Sequence, residues 1–211
     1  VNGQNWLLTV SGGDLASLNN EIYLTLAAGY SVSDLAGNSL ISPVAGAYIP
    51  SSYTYVIDNT VPTTPFDLGL EVTSDCGVST TDRKTNDNTP TVLGKTETFG
   101  VALVNLYRDG NVPVGSTDQL DCGAWGITTS GLADGVHQLT AIATDSAGNV
   151  SATSAALEVL IDTVLPSATA NVTAVTQAND AQTSYQFSVT YADASSGVDE
   201  TSLSGSTVSV T

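Results

Sequence analysis

One order of motifs occurs twice in this chain, and it limits what the chain can fold into. Ile57-Asp58-Asn59-Thr60-Val61-Pro62 returns as Ile161-Asp162-Thr163-Val164-Leu165-Pro166, with the two prolines 104 residues apart. Ser33-Asp34-Leu35-Ala36-Gly37-Asn38 returns as Thr144-Asp145-Ser146-Ala147-Gly148-Asn149. Asn5-Trp6 precedes one alternating run and Ala124-Trp125 another. Each time the order is a tryptophan, an Asp-x-Ala-Gly-Asn turn, then an Ile-Asp…Pro linker. A fixed period marks a tandem array. A period of this length gives each module enough chain to bury its own core.

Between the repeated motifs the pattern is β throughout. Residues alternate between apolar and polar along Phe66–Val72, Val101–Tyr107 and Val136–Ala143, and Ala155–Ile161 makes a final strand. Turn signals such as Arg108-Asp109-Gly110, Ala133-Asp134-Gly135 and Ala147-Gly148-Asn149 separate the runs. No segment has a helical period with caps. Short strands punctuated every ~8–12 residues predict a β-sandwich.

The linkers predict three pieces. Residues 1–60 end one module, 61–164 form a complete module, and 165–211 begin another. The two end pieces are each short for a sandwich, yet together they amount to about one module. The sequence therefore reads as one period of a longer array, cut inside a module. The alternative is strand complementation, in which one copy's C-terminal strands complete the next copy's N-terminal half. Either way the expected partners are neighbouring modules or copies.

Four Lys and Arg stand against 21 Asp and Glu, for a net charge of −17. Nucleic acid and anionic membrane need positive charge, so both are excluded as expected partners. Uncompensated carboxylates repel one another, and Ca²⁺ relieves this by taking hard oxygen ligands from several at once. A merely solubilising acidic surface is the bland alternative. Cys76 and Cys122 both lie in an Asp-Cys-Gly context inside the middle module. A disulfide between them is the preferred reading and implies an oxidising, extracellular compartment, with two free thiols as the alternative. Neither a charged-then-apolar leader nor an apolar run of ~18 residues is present; such segments, where the parent protein has them, lie outside this window.

The middle piece resembles a known family. Thr80-Thr81-Asp82-Arg83-Lys84-Thr85-Asn86-Asp87-Asn88-Thr89-Pro90-Thr91-Val92 is similar to the first-hairpin signature of bacterial immunoglobulin-like domains in large repetitive adhesins. Asp121-Cys122-Gly123-Ala124-Trp125, Leu132-Ala133-Asp134-Gly135-Val136-His137, the Ala143–Ser151 turn and the Ile161-Asp162…Pro166 exit follow in the family's order. The resemblance implies an all-β fold of tandem immunoglobulin-like sandwiches. It also implies an extender role in a long surface protein, with Ca²⁺ stiffening the junctions. The cysteine pair departs from the family pattern.

Calcium is the sharpest site expectation. The Asp145–Asn149 turn is expected to be the loop between the last two strands, facing the linker acid Asp58. In the next module Asp34, supplied by a following copy, is expected to face Asp162, with Asp193 and Asp199 beside it. A second cluster is expected from Asp75, Asp82 and Asp87, near Asp134 and Asp162. Turn residues of this kind also serve local backbone hydrogen bonds alone. Trp6 and Trp125 read as core anchors, with sugar stacking as a weaker alternative. His137 is the single histidine and lies mid-strand, without a nucleophile motif. The expectation is a structural and adhesive protein and not an enzyme, with a glycan- or surface-ligand-binding module as the alternative.

Overall fold

In the computed structural model, residues 17–22, 35–38, 55–96, 100–172 and 187–205 are described. By contacts the chain divides into two units. The first comprises Val1–Val61 with Asp145–Asn149, and the second Pro62–Thr144 with Val150–Thr211.

In the first unit, β1 (Asn20–Ile22) pairs antiparallel with β2 (Tyr55–Ile57), Asn20 opposite Ile57. Asn59 fastens the end of β2 to the start of β1, donating its amide to Asn19 Oδ1 and its side-chain Nδ2 to the Leu18 carbonyl. The turn at 35–38 has Gly37 at φ 86°, and the repeated turn has Gly148 at φ 93°. Two copies of one motif thus place glycine at the same left-handed step, where a side chain is strained.

The second unit contains a sandwich of two sheets. Its strands are β3 (Phe66–Leu70), β4 (Lys84–Thr85), β5 (Thr91–Lys95), β6 (Val101–Arg108), β7 (Val112–Thr117), β8 (Ala124–Thr128), β9 (Gly135–Asp145) and β10 (Leu157–Ile161). One sheet has the order β3-β5-β8 and the other β4-β10-β9-β6-β7. β4 pairs with β10 in parallel, while β10–β9, β3–β5, β5–β8 and β6–β7 are antiparallel. The segment from β3 to β4 therefore leaves one sheet and joins the other, tying both to the start of the module.

Side chains explain the layering. A strand's residues point alternately to its two faces. On β9 the buried series is His137, Leu139, Ala141, Ala143 and Asp145, and on β10 it is Leu157, Val159 and Ile161. Val92 of β5, Val104 and Leu106 of β6, and Trp125 and Ile127 of β8 complete the core. Each fully buried aliphatic side chain stabilises the fold by roughly 1.5–3 kcal/mol. The β6–β7 hairpin turns at Asp109 (φ 48°) and Gly110 (φ 100°). Two successive positive φ values match the twist of a tight hairpin, which is why Asp-Gly stands there.

Beyond β10, β11 (Ser167–Asn171) and β12 (Ser188–Ala192) form an antiparallel pair, followed by a 3-10 helix at Glu200–Gly205. All five residues of β11 are exposed, so neither of its faces is covered.

The expected Cys76–Cys122 disulfide is not present, and both thiols are free. Cys76 follows Asp75, whose amide bonds to Glu71 as Glu71 bonds to Thr91, at the start of β5. Gly123, next to Cys122, bonds to Thr96 just past the end of β5. The length of β5 separates them, roughly 15 Å at about 3.3 Å per residue. A disulfide requires Cα atoms within about 7 Å. The shared Asp-Cys-Gly context suggested a partnership that the strand register forbids. Instead the Cys76 thiol lies 3.0 Å from Thr85 Oγ1 and 2.9 Å from Asn86 Oδ1.

Candidate functional site

The acidic turns are built locally. Asp145 ends β9, and its carboxylate folds the next four residues around itself. Oδ1 accepts the amides of Ala147 at 2.9 Å and Asn149 at 2.8 Å, and Oδ2 accepts Asn149 Nδ2 at 2.9 Å. The Asn149 side chain, then its amide and those of Ala147 and Gly148, hold the Asp145 carboxyl below the usual carboxylate range. Asn149 Nδ2 also donates to the Asp58 carbonyl at 2.9 Å. The loop between the last two strands thus meets Asp58, but through its main chain. The Asp58 carboxylate is turned onto the Thr60 amide at 2.9 Å. Asp34 lies outside the described residues.

At the other acidic locus, Asp162 is 7% exposed and follows β10 directly. Its amide donates to the Thr85 carbonyl. Its Oδ1 accepts Val164 N–H at 3.2 Å and its Oδ2 accepts Ser196 N–H at 2.9 Å. Asp193 Oδ1 accepts the amides of Ser195, Ser196 and Gly197 at 3.0, 2.9 and 3.0 Å. One amide, that of Ser196, is therefore shared by two carboxylates. The Ser196 side chain and amide hold the Asp162 carboxyl below its usual range. Asp199 serves a different end: its Oδ1 accepts the Thr201 hydroxyl at 2.6 Å and amide at 2.9 Å, capping the 3-10 helix. These two bonds lower its pKa.

The remaining acids sit in the connection from β3 to β5 and in the turn before β9. Asp82 Oδ1 accepts Lys84 N–H at 3.3 Å. Asp87 accepts the Ser74 hydroxyl at 3.0 Å and the Thr89 amide at 2.9 Å. Asp134 Oδ1 takes both the amide and hydroxyl of Thr163 at 2.9 Å, so it holds the residue after Asp162. Asp75 is 3% exposed; its Oδ2 takes a long 3.4 Å bond from Arg83 N–H, and its Oδ1 is buried without a hydrogen-bond partner.

Among the described residues, no three His, Cys, Asp or Glu side chains come together in a way that could hold a metal ion. Ca²⁺ takes six to eight oxygens. The Asp162–Asp193 pair and the orphaned Asp75 oxygen are fitting donors, but each is only part of such a set.

Trp125 is 4% exposed and packs over Gly94, as expected of a core anchor. Trp6 lies outside the described residues. A groove of about 520 Å³ runs beside β5 and β8, lined by Asp67, Leu93, Lys95, Leu120, Asp121 and Trp125 among others. One cluster was not anticipated. His137 Nδ1 is 2.9 Å from Asp109 Oδ2, and its Nε2 is 2.9 Å from the Ala133 carbonyl. The Asp109-Gly110 turn was legible as a turn, but nothing in the sequence placed it beside His137.

Residues 60–163 match the family model of the bacterial Ig-like domain. This segment is a bacterial Ig-like domain. The match coincides with β3 to β10, the two-sheet sandwich, and carries the expected family resemblance and all-β class. No curated protein matches the chain. Bacterial Ig-like domains are commonly found in extracellular or surface proteins and are typically non-catalytic. No helix among the described residues is long and apolar enough to cross a membrane.

Proposed function

We propose that this chain is a structural and adhesive extender segment of an extracellular or cell-surface protein, in which bacterial Ig-like modules follow one another and acidic loops beside the Ile-Asp…Pro segments take Ca²⁺. The observation that carries the reading is the sharing of the Ser196 amide by Asp162 and Asp193. A buried acid just past the module's last strand is thereby wired to the loop that follows β12.

Each residue has a part. Asp162 is anchored from behind by the Thr85 carbonyl, and Asp134 fixes Thr163, so the exit from β10 has little freedom. Asp193 gathers three successive amides and presents its carboxyl beside Asp162. Ca²⁺, when bound, supplies the positive charge that offsets repulsion between such acids. Asp58, Asp145 and Asn149 are the corresponding residues around the first linker, while Asp34 of a following copy would join Asp162 and Asp193. The uncovered β11–β12 pair supports completion by strands of a further module or of a neighbouring copy, and with it head-to-tail assembly.

Calorimetric titration with CaCl₂, paired with X-ray scattering in Ca²⁺ or in EGTA, tests this reading. Binding heat that is lost in Asp162→Asn, and a chain that becomes more flexible in EGTA, are expected. No heat together with scattering profiles unchanged by EGTA overturns the calcium part.

A further inference from the structure

Among the described residues, the sandwich ends in four strand edges: β3 and β8 in one sheet, β4 and β7 in the other. An exposed edge is a template for another strand, and folds blunt it with short strands, prolines, charges or bulges. Three of these edges are blunted. β4 has two residues. β7 carries Pro113 and a register shift against β6 between Leu106 and Tyr107. β3 shifts register between Phe66 and Gly69, with Asp67 at φ 54° inside the irregularity. β8 has five residues, Ala124–Thr128, with no proline and no charge, and it pairs with β5 without a shift.

Register shows which groups that edge offers. Hydrogen-bonded and non-bonded pairs alternate along an antiparallel ladder. Gly123 accepts the Thr96 amide and Thr129 gives its amide to Pro90, so the odd-numbered residues of β8 bond to β5. Ala124, Gly126 and Thr128 turn their amides and carbonyls the other way. Ala124 uses both of its groups on Asp121. At the far end β7 closes in: Ser130 donates its amide to Val114, and a Cβ on Gly115 would lie 3.2 Å from the Thr128 carbonyl oxygen. The open stretch is therefore centred on Gly126. Gly126 also lines the groove of about 520 Å³, with Leu93, Leu120, Asp121 and Ala124. In that groove Lys95 is paired with Asp67 at 3.1 Å, whereas Asp121 belongs to none of the ion pairs among the described residues. The charge left over is negative, as is that of the whole chain at −17.

We propose that the open edge of β8 is a docking site for an extended basic segment of another protein. The segment pairs its main chain with Gly126 and lays a lysine or arginine side chain in the groove, with the cationic end at Asp121. Main-chain bonds then give affinity, and the groove gives selectivity. A strand placed beside β8 turns every second side chain toward the outer sheet face, where Leu93 and Ala124 are exposed. A long basic side chain suits such a surface, its aliphatic stem on apolar groups and its charged head in water beside the acid. A second copy of this chain is a poor occupant, since two chains of net charge −17 repel and each carries four Lys and Arg. The site lies on the sandwich itself and does not depend on calcium at the acidic loops.

The test titrates the full chain, ¹⁵N-labelled and in EGTA, with a capped pentapeptide of alternating lysine and valine, and with its glutamate–valine counterpart. Shifts at the amides of Gly126 and Thr128, and slower exchange of the Gly126 amide, are expected with the lysine peptide and not with the glutamate peptide. Asp121→Lys is expected to weaken binding about tenfold, the size of one hydrogen bond to a charged group. Gly126→Pro removes the outward N–H without touching the bonds to β5, and is expected to abolish the shifts. Melting temperatures check that both variants fold, and Asp121→Lys, at an exposed turn residue, decides the matter if Gly126→Pro does not. No binding of the lysine peptide overturns the proposal, as does binding that survives the substitutions in folded protein. A dimer of this chain that Gly126→Pro dissociates overturns it in favour of a second copy.

Discussion

Gly94 stands at a position of β5 that faces the sandwich interior, where its neighbour Val92 carries a fully buried side chain. A Cβ there would collide with indole Cζ2 of Trp125 and come within 2.6 Å of Cε2 and Cη2. The ring is buried, so relieving the contact means repacking the core around it. Gly94→Ala is expected to destabilise the module by about 1–3 kcal/mol or more, the usual cost of overpacking. At roughly 4–8 °C per kcal/mol for a module of this size, calorimetric melting reads the loss directly. The tryptophan was legible as a core anchor from its repeated place in the chain. The glycine that makes room for it was not, because cross-strand register alone sets Gly94 opposite Trp125.

At the scale of the elements, the Asp145–Asn149 turn shows why the repeated motif has its spelling. The acid accepts amides two and four residues on, Asn149 returns a side-chain bond, and Gly148 takes the left-handed step. Because the folded Asp145 carboxyl titrates below its ordinary range, its bonds stabilise the fold above the unfolded pKa. That contribution is lost as pH falls through the depressed folded value. Wild type and Asp145→Ala are expected to differ in denaturant midpoint at neutral pH and to converge under acid; a gap that stays constant down to the lowest pH would contradict this. Asp109 belongs with it, lowered to about 2 by the Gln138 amide first and then by His137 and Arg108, so it stays ionised until stronger acid. The strands β3, β6, β9 and β10 were legible as apolar or alternating runs. The added switch of β4 into the second sheet was not, since two residues carry no period of their own.

For the molecule as a whole, the net charge of −17 opposes compaction through self-repulsion. Monovalent salt screens such repulsion over roughly 10 Å at 0.1 M. Raising NaCl from low to physiological concentration is therefore expected to raise the melting temperature of the chain by a few degrees, read by differential scanning calorimetry. CaCl₂ at matched ionic strength is expected to raise it further if acids such as Asp162 and Asp193 take the ion; equal effects of the two salts would reduce calcium to general screening. The sequence by itself determined the β class, the positions of β3, β6, β9 and β10, and the repeated turns. Each of these follows from local periodicity and from hydrogen bonds spanning a few residues. Tertiary structure alone decided which distant groups meet. It kept Cys76 and Cys122 apart at opposite ends of β5, joined Asp162 to Asp193 through one amide, and set Asp109 and Ala133 on either side of His137. Those outcomes depend on strand register and on the order of strands in a sheet, and in a β fold neither is written in the spacing of residues along the chain.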